Sequence, residues 1–290
     1  MPAEPSVYDR IQELMAAFTD RERRVAQTLL ANYPVAGLET VSRLAGTAGV
    51  STATVLRFVN KLGFALYSDF QAALRSQLTE TLQSPLTRMA AARDRADAQA
   101  SFLHRFTEAV TANARSMLDT LPASEFEATV ELLCDTRRQI HVLGGRYSSS
   151  VGRYLVDFLK ALRPRVGYID GQTQKWPNHL LDFDRNTVLI VFDTRRYQSD
   201  VGAFARLAAE RGCQIVLFTD IWHSDIARVA HRVLAFPVTV PSIFDSVAVG
   251  FIMAEALVGA CAEKLGERSR TRIEDLEAFR MPLAPRGPEE

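Results

Sequence analysis

Absences narrow this chain before any motif does. Its three cysteines, Cys134, Cys213 and Cys261, stand far apart in 290 residues, each inside an apolar run. An odd, dispersed set leaves no disulfide framework and no zinc knuckle, and it suits a reducing compartment. The five histidines, His104, His141, His179, His223 and His231, show no metal-ligand spacing. No nucleophile elbow occurs, and Gly144-Gly145 lacks the third spaced glycine of a dinucleotide fingerprint. The expectation is therefore no catalytic set, no metal and no cofactor. No uninterrupted apolar run reaches the roughly 20 residues that a bilayer crossing needs. Glu4, Asp9 and Arg10 break up the start, so a signal peptide is not expected either. A cytoplasmic protein with no membrane partner follows as an expectation. Net charge is also missing, because 34 basic side chains balance 34 acidic ones. Proteins that coat nucleic acid without specificity are strongly basic, so any DNA contact here is local and directed.

What is present divides in two, as the length suggests. The first eighty residues read as helices. Val7 to Phe18 is amphipathic, and Thr19 caps a helix from Asp20 to Asn32 with Glu22 placed as in a capping box. Pro34 stops that helix. Tyr67 to Leu82 carries Phe70, Leu74 and Leu78 at helical spacing. Between them, VSRLAGTAGVSTATVLRFVNKLGF (Val41 to Phe64) reads as a helix-turn-helix. Val41, Leu44 and Ala45 would face inward. Gly49 occupies the turn, and Ser51 stands where an N-cap belongs. The second helix would bury Val55, Phe58, Val59 and Leu62 and end before Gly63. Its other face offers Thr52, Thr54, Arg57 and Lys61 with no acid among them. A hydroxyl-rich, cationic face suits a major-groove reader, although a solvated face of an all-α domain has the same composition. On the DNA reading, Arg57 and Lys61 contact phosphates or base edges, Thr52 and Thr54 read bases, and Ser51 caps the helix and bonds a phosphate.

Residues 83–123 read as a helical linker, with a helix from Ser101 to Asp119, and Ser124 to Thr136 reads as the next helix. From Gln139 onward strand-length apolar runs alternate with helical segments. The expected strands are Ile140–Leu143, Val166–Ile169, Val188–Phe192, Ile215–Phe218 and Val233–Phe236. The expected helices are Ser149–Leu162, Asp200–Arg211, Ile226–Ala230 and a long one over Ile243–Lys264. Continuous apolar strands with crossover helices mean a doubly wound parallel sheet, so the fold class is α followed by α/β. That domain is expected over 124–280, with a disordered tail over 281–290. Ligands of such sheets bind beyond the carboxyl ends of the strands. Two loops fall there: GGRYSSS (Gly144 to Ser150) and DTRRYQSD (Asp193 to Asp200). The first is either an anion site at a helix N-terminus or a plain serine cap. The second brings Arg195 and Arg196 beside it if the two strands are neighbours. Otherwise its charges pair with Asp193 and Asp200. His223 and Asp220 follow the fourth strand and could reach the same place.

With those residues in view, the chain resembles the RpiR/MurR family of bacterial transcriptional regulators. These join an N-terminal helix-turn-helix domain to a C-terminal sugar isomerase (SIS) domain. TDRERRVAQTLL, LAGTAGVSTATVLRFVNKLGF and YSDFQAAL carry the resemblance in the first domain, and FTDIWHSDIARVAHRVL is similar to a later strand, loop and helix of the second. The family's first loop runs Gly-x-Gly-x-Ser. Here Arg146 replaces the second glycine, and Ser148 and Ser149 fall on the hydroxyl positions. Its second loop is a serine-rich phosphate cradle, where this chain has Asp193, Thr194, Arg195 and Arg196. The resemblance implies a sensor of a small anionic metabolite, a sugar phosphate or a carboxylate, that acts on double-stranded operator DNA as a homodimer or homotetramer. Two recognition helices on a two-fold axis need half-sites roughly 34 Å apart. The alternative is an SIS-type sugar phosphate isomerase or another SIS enzyme with a helical extension, for which Glu255 and His223 are the candidate bases.

Overall fold

A computed structural model of the chain describes residues 7–31, 33–82 and 101–283. The described elements form two compact units. The first is all helical: α1 (Val7–Glu13), α2 (Asp20–Ala31), α3 (Val35–Leu38), α4 (Val41–Ala48), α5 (Thr52–Lys61) and α6 (Tyr67–Leu82). The first helix ends earlier than its amphipathic pattern suggests, and a 3-10 turn over Met15–Ala17 completes that segment. The expected capping box is formed. The Thr19 amide donates to Glu22 Oε2 at 2.9 Å, and the Glu22 amide donates to Thr19 Oγ1 at 3.4 Å. Pro34 ends α2 and also sits directly before the short α3. Val25, Leu29, Leu44, Val55, Phe58, Phe70 and Leu74 are buried together, each burial favourable by about 1.5–3 kcal/mol for a large apolar side chain.

The second unit starts with α7 (Phe102–Thr120) and α8 (Ala123–Cys134). Helix α7 packs against the fifth strand and the long C-terminal helix, so it is part of this unit and not of a linker. The rest of the expected linker, residues 83–100, lies outside the described residues, as does the end of the expected tail. Then follow β1 (Gln139–Gly144), α9 (Ser149–Leu162), β2 (Val166–Tyr168), α10 (Pro177–Leu180), β3 (Thr187–Phe192), α11 (Ser199–Glu210), β4 (Gln214–Asp220), β5 (Arg232–Phe236), α12 (Ala248–Leu265) and α13 (Glu267–Arg280). All pairings are parallel, in the order β2-β1-β3-β4-β5.

Alternation along β3 divides the core. Val188, Ile190 and Phe192 join the layer under α8, α9 and α12, while Leu189 and Val191 join the layer under α11. Both faces are covered, as a doubly wound sheet requires. Three expectations change. Ile226–Ala230 is a 3-10 turn over Asp225–Arg228, too short to complete α-helical bonding. The long helix begins at Ala248 rather than Ile243, and Met281–Leu283 is a 3-10 turn rather than the start of a disordered tail.

Candidate functional site

In the helical unit, α4 runs from its Thr40 cap to Gly49, whose φ of +63° closes the helix in the left-handed region. A side chain there costs about 1–2 kcal/mol. The Val50 amide reaches back to the Ala45 carbonyl at 3.0 Å, and the chain turns into α5. Ser51 caps α5, accepting from the Thr54 amide at 3.3 Å. Thr52 and Arg57 are exposed on α5, together with Ala53, Leu56 and Asn60. Thr54 is not on that face. It is 1% exposed, and its hydroxyl lies 3.0 Å from Ser51 Oγ and accepts from Arg57 Nη2 at 3.3 Å. It was expected at a base edge, but its hydroxyl is turned inward and bonded to Ser51 and Arg57. Nor is Lys61 clear of acids. Its ammonium sits 2.7 Å from Glu22 Oε2 on α2. Burial alone would raise the Glu22 carboxyl, but the bonds from Lys61 and Thr19 outweigh it and hold the acid below its ordinary range. Asn60 and Leu56 were legible as outward positions of the same helix, since each lies three or four residues from an exposed neighbour.

In the α/β unit, β1 and β3 are direct neighbours, so the loops after them meet. A cavity of about 90 Å³ lies between them, lined by Gly145, Arg146, Tyr147, Ser148, Asp193, Thr194, Arg195, Arg196 and Gln198. The approach is close: a Cβ on Gly144 would lie 2.5 Å from the Ser149 Cα, so only glycine fits. Two exposed arginines, Arg146 and Arg196, are among its lining residues. Arg196 has φ +67°, which turns the second loop at that point. Ser148 is buried and donates its hydroxyl to the Phe192 carbonyl at 2.8 Å. Ser149 does not line the cavity and its hydroxyl faces the Arg146 carbonyl at 3.4 Å. Thr194 lines the wall half-buried.

Arg195 departs most from its expected place in an exposed cationic pair. Its guanidinium is buried in an ion pair with Asp245, donates to Thr239 Oγ1 at 3.2 Å and lies 4.2 Å over the Trp222 ring. Its amide donates to Asp220, which also accepts from Tyr197 Oη at 2.7 Å and the Trp222 amide at 3.0 Å. Burial raises both Asp220 and Asp193, the latter to about 7, with Asp220 and Asp200 adding to it against bonds from Ser224 and the Gln198 amide. Gln198 also lines the wall. Its carboxamide oxygen accepts from the Arg146 amide, where an anion would be expected, and its nitrogen reaches Asp200 at 3.4 Å. Neither Glu255, bonded to Tyr154 Oη at 3.2 Å, nor His223 lines the cavity. Among the described residues no cluster of three His, Cys, Asp or Glu side chains could hold a metal ion, and no helix is long and apolar enough to cross a membrane.

A helix-turn-helix unit joined to a parallel five-stranded sheet with a loop cleft defines the class: a helix-turn-helix protein with an SIS-type domain. Family matches agree with that division. Residues 6–81 match the helix-turn-helix domain of the rpiR family, and residues 133–260 match the SIS domain. The chain thus pairs a helix-turn-helix domain of the rpiR type with an SIS domain, an arrangement that indicates a transcriptional regulator. An uncharacterized HTH-type transcriptional regulator of Providencia stuartii is 21% identical over 228 residues, covering 78% of this chain and 79% of that protein. The bifunctional protein glk of Burkholderia mallei is 38% identical over 81 residues, 28% of this chain and 12% of that protein. Among solved structures, the sugar isomerase domain of an RpiR transcription factor from Sphaerobacter thermophilus superposes with TM-score 0.56 at 24% identity, covering 61% of this chain and 97% of that one. The Vibrio vulnificus NanR protein complexed with ManNAc-6P gives TM-score 0.52 at 20% identity over 97% of this chain and 100% of that one.

Proposed function

We propose that this regulator binds operator DNA through α5 as a homo-oligomer in the cytoplasm, and that a small anionic metabolite in the loop cleft controls it. The observation that carries the ligand reading is the convergence of the two loops on one cavity, with Arg146 and Arg196 at its surface. Their guanidinium groups can bond carboxylate or phosphate through paired donors. Ser148 and Arg195 are engaged elsewhere, so the anion's charge falls to these two arginines. At about 90 Å³ the cavity takes an acidic head group, with the remainder of the metabolite outside it. NanR holds a sugar phosphate, which supports that ligand class here, and a small carboxylate fits the same donors. A binding role, rather than catalysis, accords with Glu255 and His223 lying off the cavity wall.

In the helical unit, Thr52, Arg57 and the Ser51 cap form the DNA contact, with Lys61 contributing from its pair with Glu22. The test is a panel of anionic metabolites, scored by thermal stability and by their effect on the protein–DNA complex. One class should raise the stability and change the complex, and Arg146→Ala with Arg196→Ala should abolish both effects. Unchanged stability and an unchanged complex across the panel would overturn the ligand reading.

A further inference from the structure

A second cleft opens at the opposite end of the sheet, at the amino ends of β1 and β5. It is open to solvent, holds about 760 Å³, and is lined by Cys134, Arg137, Arg138, Arg232, Lys264 and Arg268 among others. Cys134 is the last residue of α8 and is half-buried on this wall. Its thiol donates to the Cys261 carbonyl of α12 at 3.9 Å. Cys261 is fully buried behind it. The chain thus places two of its three cysteines in contact across a helix pair, one half-buried on the wall of an open cleft and its partner buried.

The surroundings favour a thiolate at the outer position. A helix C-terminus normally disfavours an anion. Here the buried Arg163 guanidinium takes up one carbonyl of the last turn, Leu133 at 2.5 Å, and sets its positive charge at the helix end through further bonds to the carbonyls of Asp135 at 3.1 Å and of Arg138. The neighbouring Cys261 side chain lowers Cys134 below the usual thiol range, and Lys264 and Arg163 add to this against burial and Glu131. The Cys261 thiol is pushed far up. A low, accessible thiol beside a resolving cysteine is the arrangement that peroxide-reactive sites need.

We propose that Cys134 and Cys261 form an oxidisable dithiol whose substrate is a hydroperoxide. The Cys134 thiolate attacks the hydroperoxide oxygen, and the O–O bond breaks. The leaving alkoxide or hydroxide takes a proton, and Cys134 becomes a sulfenic acid. The Cys261 sulfur then attacks the Cys134 sulfur. The S–O bond breaks, and water leaves with the Cys261 proton. Two thiols lose two electrons, and the hydroperoxide is reduced to an alcohol, or to water, with a second water. The disulfide ties the end of α8 to α12. Cys213 is an internal control: it is buried, and burial pushes its thiol up to about 11.

The test treats the folded full-length protein with hydrogen peroxide, blocks remaining thiols and maps peptides without reduction. The expected result is a Cys134–Cys261 linked pair, lower in mass by two hydrogens and reversed by dithiothreitol, with Cys213 still a thiol. In Cys261→Ser, dimedone should label Cys134 as a sulfenic acid. Free thiols at both positions after treatment, a Cys134–Cys134 link between chains, or a sulfinic Cys134 beside an intact Cys261 thiol would each overturn it. The wild-type map needs no variant to fold, and its outcome is independent of whether the loop cleft binds a metabolite.

Discussion

Replacing Asp193 by asparagine should stabilise the α/β unit at high pH and leave it nearly unchanged at low pH. Asp193 is 2% exposed and its carboxyl is pushed from 3.8 to about 7, first by burial and then by Asp220 and Asp200. A raised acid binds more protons in the folded state than in the unfolded state. Stability is therefore lost as pH rises from about 4 to about 7 and is level above that. At about 1.4 kcal/mol for each pH unit the whole interval is worth about 4 kcal/mol, of which about 3 kcal/mol falls between pH 5 and 8. Asp220, raised by its own burial, acts in the same direction. Asparagine keeps an oxygen to accept from the Gln198 amide, 3.3 Å away in the wild type. Both tryptophans of the chain, Trp176 and Trp222, are buried in this unit, so their fluorescence during urea unfolding reports it alone. Asp193→Asn should exceed the wild type by about 2–4 kcal/mol at pH 8 and by little at pH 5. Groups with the opposite tendency, such as Asp135 held down to about 2 by Arg137, cancel in the comparison. An equal gain at both pH values, or a loss at pH 8, would refute the placement of a buried, proton-retaining carboxyl under the cleft.

Gly49→Ala should cost the helical unit about 1–2 kcal/mol because its φ is positive, read by calorimetry as a lower first transition with the tryptophan-monitored one unmoved. Arg195→Met should destabilise the α/β unit by about 3–5 kcal/mol in urea, because it takes the guanidinium from Asp245 while the carboxylate stays; adding Asp245→Asn should recover part of that. Lys61→Ala should weaken DNA binding less than Arg57→Ala does, because Lys61 is already paired, yet lower the melting temperature more, because Glu22 stays 4% exposed and charged. Titrations on one DNA fragment with melts of the same samples check both halves.

The fold was legible wherever a local rule governs it. Strand-length apolar runs, the Thr19 and Ser51 caps and the Gly49 turn each act within a few residues, and each element formed close to its expected place. The α5 face was legible only in part. Thr54 precedes Phe58 by four residues and therefore shares its buried face, a relation that hydroxyl chemistry alone does not show. The partners of the cleft were out of reach for another reason. Arg195 meets Asp245 and Arg146 meets Gln198 across separations of about fifty residues, and only the folded sheet brings them together. Helix α13 left no apolar periodicity to read, since it is polar on nearly all sides.

The central claim is that α5 reads DNA with Arg57. A mobility shift on the DNA flanking the protein's own gene, at a stated near-physiological salt, tests it with the wild type and a folded Arg57→Ala side by side. The account predicts a discrete, competitor-resistant complex for the wild type and a loss of about 10–100-fold in affinity for the variant, from a contact worth about 1–3 kcal/mol. Equal binding by both proteins, or no wild-type complex at any salt with or without anionic metabolites, would contradict it.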